Sequence, residues 1–336
     1  MSASSRLRIA VSLSALTALA VGVAQPALGS DAPDDATVSE AVPAAAVPYL
    51  HAGLRITDQG TKGDDLMIGG PGDDDLAGGQ GNDVLVGDAY SESEPVAGGG
   101  NDKLNGGDGD DIIVGDAFSP AGAEGSGNDD ISGGPGSDLL VGDALVGTHI
   151  ADGSGDATGS GDDEINGLTG TDFEVGDAAV FGNGTARCNG GSDKMNGEPN
   201  NDGIDFVGVG GDTELIVGDC YSSGGDALGA GSDAPIINGG DGEDILVGDN
   251  YAPNGQATGS GSEVNMLGGD GDDQIFGDHH PVSNSREGGG KDQPRGGNGN
   301  DRLEGGPKKD KCAGGDGKDK FVTKGAMKCE ETTGDP

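Results

Sequence analysis

The sequence contains no tryptophan, and only six phenylalanines and four tyrosines occur among its 336 residues. This shortage of aromatic side chains argues against a glycosidase, whose sugar-binding cleft is usually lined with aromatic rings. Basic residues are also few, with 18 Lys and Arg against 60 Asp and Glu and a formal net charge of -42. So acidic a surface repels nucleic acid and anionic membranes, which leaves cations as the natural partners.

Histidine and cysteine are scarce, with four of each, and neither occurs in a pattern typical of catalysis. The motif H-E-x-x-H is absent, no G-x-S-x-G elbow lies between a strand and a helix, and no histidine neighbours a cysteine. The pair His279-His280 could bind a transition metal, but we interpret it as two surface histidines in a loop. No catalytic residue is predicted.

A long apolar run occurs near the N-terminus, from Ile9 to Val23, after a short basic start. The run is short for a membrane span and is followed by small residues, so we predict a secretory signal peptide over residues 1–29. Cleavage after Ala24 and cleavage after Gly29 both fit. The predicted location is therefore extracellular, with no membrane span once the signal is removed.

Residues 30–55 are rich in Ala, Pro, Asp and Val and show no stable periodicity. We predict a flexible linker here. An alternative is that Tyr49, Leu50, Leu54 and Ile56 form a strand that caps the first coil of the fold that follows.

Glycine and proline together make 87 residues, enough to suggest disorder if they had no period. From Gly60 to Val86, however, the chain reads GTKGDDLMI, GGPGDDDLA and GGQGNDVLV. These are three copies of a nine-residue unit, G-G-x-G-x-D-x-U-x, in which U is a large apolar residue. Its glycines allow tight turns, and its last three residues form a short strand whose middle side chain points inward.

Seventeen positions match the unit well enough to place its aspartate in register. They are Asp65, Asp74, Asp83, Asp102, Asp111, Asp129, Asp138, Asp163, Asp172, Asp193, Asp202, Asp244, Asp273, Asp292, Asp301, Asp310 and Asp319. The residue two positions later is an independent check, and it is Met, Leu, Ile, Cys or Phe except at Glu174 and Pro294. We expect these two coils to be distorted.

The repeated unit resembles the hemolysin-type (RTX) calcium-binding repeat, in which nonapeptides wind a right-handed parallel β-roll with metal ions in its turns. The resemblance implies an all-β solenoid over residues 56–325 that binds several calcium ions, and by it Asp65 and Asp83 share one ion. Calcium suits these turns because it takes carboxylate and carbonyl oxygens, whereas zinc prefers Cys and His. The predicted ligands are Asp65, Asp74, Asp83, Asp102, Asp111, Asp129, Asp138, Asp163, Asp193, Asp244, Asp273, Asp301 and Asp319.

A longer period lies over the first. The phrase Val-Gly-Asp or a variant recurs with its aspartate at residues 88, 116, 143, 177, 219, 249 and 278, and most intervals exceed one 18-residue coil by about ten residues. We predict that these insertions stack as polar loops along one edge of the roll, opposite an edge of short GGxGxD turns that forms the calcium ladder. The loops either bind an extracellular or cell-surface partner or are merely tolerated insertions.

The four cysteines form two disulfides in a secreted chain, and proximity in sequence favours Cys188 with Cys220 and Cys312 with Cys329. Three connectivities remain open. The second pair would staple the C-terminal tail, residues 326–336, over the last coil. Between them, residues 187–237 hold poor copies of the unit, where we expect irregular coils or missing metal sites.

The sequence thus predicts a secreted, non-enzymatic calcium-binding β-roll that acts as a structural or interaction module. The resemblance covers most of the chain and leaves little room for a catalytic domain. Two rivals stay open, namely an extracellular enzyme that acts on a polymer through the loop edge, and an adhesin-like surface protein. Flat ranks of outward Thr or Asn, which adhesion or ice binding would use, are missing.

Overall fold

The computed structural model describes residues 57–148, 151–189, 192–197, 215–230, 236–261, 263–280, 289–322, 329 and 331–333. These residues form 32 β-strands. None of them belongs to a helix that could span a bilayer. The predicted signal peptide, the linker and Asp202 lie outside the described residues.

Two long parallel sheets run the length of the molecule, with 11 and ten strands. The strands of sheet A are Thr57–Gln59, Asp75–Gln80, Lys103–Asp108, Asp130–Pro135, Glu164–Thr169, Lys194–Asn196, Ile236–Asp241, Asn265–Asp270, Gln293–Asn298, Lys311–Asp316 and Glu331–Thr333. The strands of sheet B are Leu66–Ile68, Val84–Val86, Ile112–Val114, Leu139–Val141, Phe173–Val175, Leu215–Val217, Ile245–Val247, Gln274–Phe276, Arg302–Glu304 and Lys320–Phe321.

Two further parallel sheets, C and D, hold five and six strands. Sheet C consists of Ala89–Tyr90, Ala117–Phe118, Ala144–Val146, Ala178–Val180 and Cys220–Ser222. Sheet D consists of Val96–Ala97, Ala123–Glu124, Ala157–Gly159, Ala186–Cys188, Ala227–Ala230 and Ala257–Ser260. Both sheets are built from the insertions that follow Val-Gly-Asp.

Each coil therefore runs from sheet A through a short turn to sheet B, and then returns to sheet A either directly or by way of sheets C and D. We call the short turn the A-to-B edge and the return the B-to-A edge. Where the return is direct, paired strands are one 18-residue coil apart, as in Thr57 with Asp75. Where sheets C and D intervene, the spacing grows, as in Lys103 with Asp130. The predicted parallel β-roll is confirmed.

The core between sheets A and B is one column of apolar side chains, contributed by the U positions of the units, with Val264 added from the aspartate position of its unit. Its members are Met67, Leu76, Leu85, Leu104, Ile113, Ile131, Leu140, Ile165, Met195, Ile216, Ile237, Leu246, Val264, Met266 and Ile275. Alternation along each short strand sends this middle residue inward, as the nine-residue pattern predicts. Burial of each Leu or Ile in this column stabilises the fold by roughly 1.5–3 kcal/mol.

The insertions differ from the prediction in one respect. They stack on one edge as expected, but they are strands with a core of their own and not polar loops. The core of sheets C and D is mainly alanine, with Ala117, Ala144, Ala157, Ala178 and Ala186 fully buried. Because an alanine core is narrow, short insertions of about ten residues can close it.

The outward face of sheet B also differs from expectation. The residues that flank the U position should face solvent in a two-sheet roll, yet Leu139, Val141, Phe173 and Val175 are buried. They form an apolar cluster with residues of sheet C such as Leu145. Sheet C therefore packs with the outward side chains of sheet B, and these coils have a second apolar cluster beside the main core.

Both coils that were expected to be distorted keep their register. Glu174 pairs with Leu140 on one side and Ile216 on the other, and Pro294 pairs with Met266. The parallel backbone ladder imposes the register, so one unusual side chain does not displace the strand. Among the described residues, one that is not glycine has a positive φ. This residue is Leu168, with φ of 76°, in the turn before Glu174.

Both disulfides form as predicted. Cys188 of sheet D bonds to Cys220 of sheet C, and Cys312 bonds to Cys329 next to buried Leu303. The first links two adjacent coils where the repeats are poorest, and the second fixes the tail to the last coils. The interpretation of His279 as a surface residue is wrong, since it is buried beside Asp249.

Candidate metal centres

The repeat aspartates form two rows, one on each edge of the roll. Those on the A-to-B edge are Asp65, Asp83, Asp111, Asp138, Asp172, Asp244, Asp273, Asp301 and Asp319. Those on the B-to-A edge are Asp74, Asp102, Asp129, Asp163, Asp193, Asp292 and Asp310. All thirteen predicted ligands lie in these rows. The expected division into one calcium edge and one loop edge is wrong, because both edges keep their aspartates.

Hydrogen bonds connect each aspartate to the next coil. The backbone N–H of Asp65 donates to Oδ1 of Asp83 at 2.8 Å, and that of Asp83 donates to Oδ1 of Asp111 at 2.8 Å. On the other edge, the N–H of Asp102 donates to Oδ1 of Asp129 at 2.7 Å. Adjacent coils are joined in this way, through one carboxylate oxygen, at many turns of both edges, and the predicted neighbours Asp65 and Asp83 are brought together.

The second carboxylate oxygen has no such partner in many of these residues. Buried Oδ2 atoms that accept no hydrogen bond belong to Asp83, Asp102, Asp111, Asp129, Asp138, Asp163, Asp172, Asp193, Asp273, Asp292, Asp301 and Asp319. A buried charged oxygen without a partner costs several kcal/mol. Repeated at the same place in successive coils, it indicates a position suited to a cation.

Backbone carbonyls converge on the same points. A Cβ built on Gly106, the first residue of its turn, would lie 2.2 Å from Oδ2 of Asp111 and 2.7 Å from the carbonyl oxygen of Gly133 in the next coil. A Cβ on Gly69 would likewise lie 2.4 Å from Oδ2 of Asp74 and 2.1 Å from the oxygen of Gly87. Carboxylate and carbonyl oxygens that crowd one small space suit calcium, which takes six to eight oxygen ligands.

This crowding predicts that alanine is not tolerated at the first glycine of a turn. At Gly142 a Cβ would lie 1.7 Å from the carbonyl oxygen of Gly176 and 2.3 Å from Oδ2 of Asp163. We expect Gly142→Ala to lower the free energy of unfolding in calcium by about 3 kcal/mol, as overpacking does. Gly63→Ala is the matched control, since no atom lies within 4 Å of its Cβ position. Urea denaturation measures both, and equal stabilities would contradict the arrangement.

The insertions split a turn without destroying it. Gly115 and Asp129 are separated by strands of sheets C and D, yet a Cβ on Gly115 would lie 1.6 Å from the oxygen of Gly142 and 2.1 Å from Oδ2 of Asp129. These are the same partners as in an uninterrupted turn. Val-Gly-Asp and the later Gly-x-Asp are therefore the two ends of one nonapeptide turn, with the insertion between them.

The split explains why aspartate can replace the second glycine of the unit. In uninterrupted turns that position has a positive φ, as at Gly107 with 108° and Gly134 with 124°. In split turns the chain leaves for sheet C at that point, and Asp116 and Asp143 do not have a positive φ. Because the backbone at this position is not left-handed, glycine is not required. A residue with a carboxylate can therefore occupy the position.

These extra aspartates complete four buried trios. Each trio joins the Val-Gly-Asp aspartates of two successive coils to one repeat aspartate of the B-to-A edge, and their ligand oxygens lie within 4.8 Å of one another. The trios are Asp88, Asp102 and Asp116; Asp116, Asp129 and Asp143; Asp143, Asp163 and Asp177; and Asp177, Asp193 and Asp219. Without histidine or cysteine, such sets suit a hard cation and not zinc.

Burial raises the pKa of these carboxyl groups, and repulsion between neighbours adds to it. The pKa rises to about 8 for Asp102, to about 7 for Asp111 and to about 9 for Asp116. For Asp143 the pKa is raised well above its ordinary value, first by burial and then by the charges of Asp163 and Asp177. The ionised forms are therefore held at a cost that a cation would relieve.

The row on the B-to-A edge is interrupted at two coils. Sequence places Pro235 and Val264 where the repeat aspartate would stand. The side chains nearest to a Cβ on Gly218 and on Gly248 are Ile237, at 3.4 Å, and Val264, at 3.1 Å, in place of a carboxylate. Val264 also joins the main apolar core. At these two coils an apolar side chain therefore lies where the other coils of this edge present a repeat carboxylate.

Sequence reasoning missed the Val-Gly-Asp aspartates as candidate ligands. Their recurrence was visible, but it was interpreted as a marker of insertions only. The signal that could have identified them is their place in the unit, because each follows the first glycine of a turn and so lies next to the ion position. Asp172, Asp292 and Asp310 were also in register but were left out of the predicted ligands, and all three lie in the rows.

Asp143 belongs to two trios, so its removal should have a large effect on calcium binding. We expect Asp143→Gly, which restores the repeat's usual residue, to raise the calcium midpoint of folding on the order of tenfold, equivalent to about 1.4 kcal/mol. Asp152→Gly is the control, since Asp152 is an exposed acid in the same insertion. Circular dichroism against calcium concentration gives both midpoints. Equal midpoints for the two variants would remove Asp143 from the site.

Comparison with known proteins gives one match. The family model described as the RTX calcium-binding nonapeptide repeat, in four copies, matches residues 59–89, 96–119, 125–144, 157–174, 258–278 and 288–322. No curated protein and no solved structure matches significantly. The matched segments hold the turns of both edges and mostly leave out the insertions. Together with the β-roll and its aspartate rows, the match shows that the chain belongs to the RTX calcium-binding repeat family.

Proposed function

We propose that the chain is a secreted calcium-binding protein that acts outside the cell as a non-enzymatic structural or interaction module and folds on binding calcium. The observation that carries this proposal is the repeated set of buried Oδ2 atoms without a hydrogen bond, most of them next to a carbonyl oxygen of the following coil. The ligands would be the thirteen predicted aspartates, together with the Val-Gly-Asp aspartates of the trios.

What these residues do follows from their placement. Each turn offers one carboxylate oxygen to the neighbouring coil's N–H and holds the other toward the ion position. A bound calcium ion would supply positive charge between coils that otherwise repel each other. Two carboxylates about 5 Å apart repel by roughly 3 kcal/mol at an effective dielectric near 20. Ion binding would thus turn a repulsive stack into a cohesive one.

Calcium binding itself is tested by isothermal titration calorimetry on the purified mature chain. We expect several calcium ions per chain and little competition from magnesium, because magnesium requires near-octahedral geometry and dehydrates reluctantly. No calcium uptake at millimolar concentration would contradict the proposal. Binding of magnesium with equal affinity would show that the turns are only a diffuse acidic surface.

Export and the domain limits are part of the same proposal. The signal peptide, residues 1–29, would be removed on export. In the mature chain a flexible linker, residues 30–55, would precede the roll, residues 56–325, and the disulfide-stapled tail, residues 326–336, would follow it. Two disulfides suit an oxidising compartment. Mass spectrometry of the chain from culture supernatant should give an N-terminus after Ala24 or Gly29. An intact Met1 in the exported form would contradict the signal peptide.

A non-enzymatic role is favoured over action on a polymer. The enzymatic alternative needed a row of polar loops to line a substrate site, whereas the insertions are strands around an alanine core. The notable buried acids lie in calcium-type turns and not in a cleft with a nucleophile or a general base. A partner of the module outside the cell remains part of the proposal, and its identity would be sought by pull-down with the calcium-loaded chain.

A further inference from the structure

Among the buried acids that lie outside both rows and outside the trios, Glu174 stands in the main apolar column. Glu174 occupies a U position of sheet B, where its neighbours in adjacent coils are Leu140 and Ile216. Its side chain is fully buried, and neither Oε1 nor Oε2 has a hydrogen-bond partner of normal geometry; the nearby backbone N–H of Gly167 lowers its pKa, but burial outweighs that effect. An unpaired carboxylate in an apolar column is among the most unfavourable arrangements in a protein core. A bound cation would account for this arrangement.

The carboxylate of Glu174 is directed toward the A-to-B edge. A Cβ built on Gly167, the first glycine of this coil's turn, would lie 2.4 Å from Oδ2 of Asp172 and 2.8 Å from Oε1 of Glu174. Oδ2 of Asp172 is itself buried without a hydrogen bond. Two carboxylate oxygens therefore converge at the place where the other turns present their ion ligands.

The turn of the preceding coil has a carbonyl oxygen near the corresponding point. At Gly133 the two nearest oxygens are Oδ2 of Asp138, at 2.3 Å, and the carbonyl of Gly167 in the next coil, at 2.8 Å. At Gly167 the second place is taken by Oε1 of Glu174, at the same 2.8 Å. At Gly167, therefore, a carboxylate oxygen from the core lies closer to the Cβ position than any carbonyl oxygen of the following coil.

The following coil is the one whose sequence departs most from the unit. Phe173 pairs with Leu215, so the position that corresponds to Asp172 in that coil is Glu214, and no GGxGxD turn precedes it in the sequence. Glu174 also lies close enough to Asp172 and Asp244 for both charges to raise its pKa, although burial raises it most. In sequence, the coil after Glu174 therefore lacks the repeat aspartate that the other coils place on the A-to-B edge.

We propose that Glu174 is a calcium ligand, which reaches out of the apolar core to complete, with Asp172, an ion site on the A-to-B edge beside the degenerate coil. This proposal rests on the proposed calcium-dependent function. It assigns a metal-binding role to a residue that the repeat motif reserves for an apolar side chain.

Native mass spectrometry of the full mature chain tests the proposal, because it counts bound calcium ions one by one. Glu174→Gln keeps the shape and removes the charge, and Glu174→Leu installs the residue found at Leu140. We expect each variant to bind one calcium ion fewer than the unchanged chain, with the same β-rich circular dichroism spectrum in saturating calcium. Glu164→Gln is the control, since Glu164 is an exposed residue of the same coil.

The outcomes separate this proposal from the general function. An unchanged ion count in both Glu174 variants, with the rest of the ions present, would overturn the role of Glu174 alone. An unchanged chain that binds no calcium would overturn the proposed function. If Glu174→Leu lost its β spectrum in saturating calcium, the ion count of the nearly isosteric Glu174→Gln would decide, and an unchanged count in that variant would overturn the role of Glu174.

Discussion

Removing calcium at neutral pH should convert the circular dichroism spectrum of the mature chain from that of a β-protein to that of a disordered one. The apolar core is too thin to hold the fold alone. Each nine-residue unit buries a single Leu or Ile, and that burial offsets only part of the conformational entropy lost when its backbone is ordered. The carboxylate rows add repulsion to that deficit.

Calcium reverses the balance because each site at a hundred times its dissociation constant adds about 2.7 kcal/mol. A handful of emptied sites therefore exceeds the roughly 5–15 kcal/mol by which a whole domain is stable. Since each ion joins neighbouring coils, the transition should be cooperative along the solenoid. The measurement is a calcium titration of chelator-treated protein followed at far-ultraviolet wavelengths. A full β spectrum in excess chelator would mean that disulfides and packing suffice.

The calcium-free chain should respond to pH in the direction opposite to ordinary acid denaturation. Burial raises the pKa of Asp102 and Asp273 to about 8 and that of Asp111 to about 7 in the folded chain, against about 3.9 when unfolded. Between about pH 4 and pH 8 the folded state thus binds more protons than the unfolded state. Stability without calcium should fall as the pH rises through this window and recover as the pH falls.

Calcium should invert that dependence, because ions bind the deprotonated carboxylates and release protons. We expect metal-free protein to gain β structure when the pH is lowered from 8 to 4, and we expect the calcium midpoint to fall when the pH is raised from 5 to 8. Circular dichroism of dialysed protein, with and without added calcium, measures both trends. A metal-free chain that loses structure on acidification would show that its carboxylates are not buried as described.

The repeat unit was sufficient to predict the roll, the core column and the aspartates of the turns, but not that these aspartates form a row on each edge. A fixed period of nine places Leu76 and Leu85 inward and Asp74 and Asp83 in turns, because backbone pairing between coils leaves little freedom in register. The cysteine pairs followed from their short separations. These features depend on local pattern, which is why sequence alone conveys them.

Sheets C and D could not be predicted in the same way. Their strands are two to four residues long, and their inward residue is usually alanine, which is depleted in strands and gives no strong apolar signal. Alanine is used because a narrow core must be filled, and that need arises only once neighbouring coils stack. The same stacking buries Phe173 and Leu139, which a single coil would expose.

Glu174 shows the limit of pattern most clearly. In sequence it is a mismatch at an apolar position and suggested a distorted coil. In the structure the strand is regular, and the acid reaches the turn of its own coil. The reason lies in the following coil, 42 residues later in sheet B, so no local window around Glu174 contains it.

The measurement that most directly tests the calcium-held roll is an anomalous difference map from crystals grown in calcium. The account predicts peaks along both edges, beside Oδ2 of aspartates such as Asp111 and Asp129, with a gap on the B-to-A edge opposite Ile237 and Val264. It also predicts that crystals of Asp143→Gly lose or weaken the two peaks that its trios surround. An ordered roll whose map shows no peak along either row of aspartates would contradict the account.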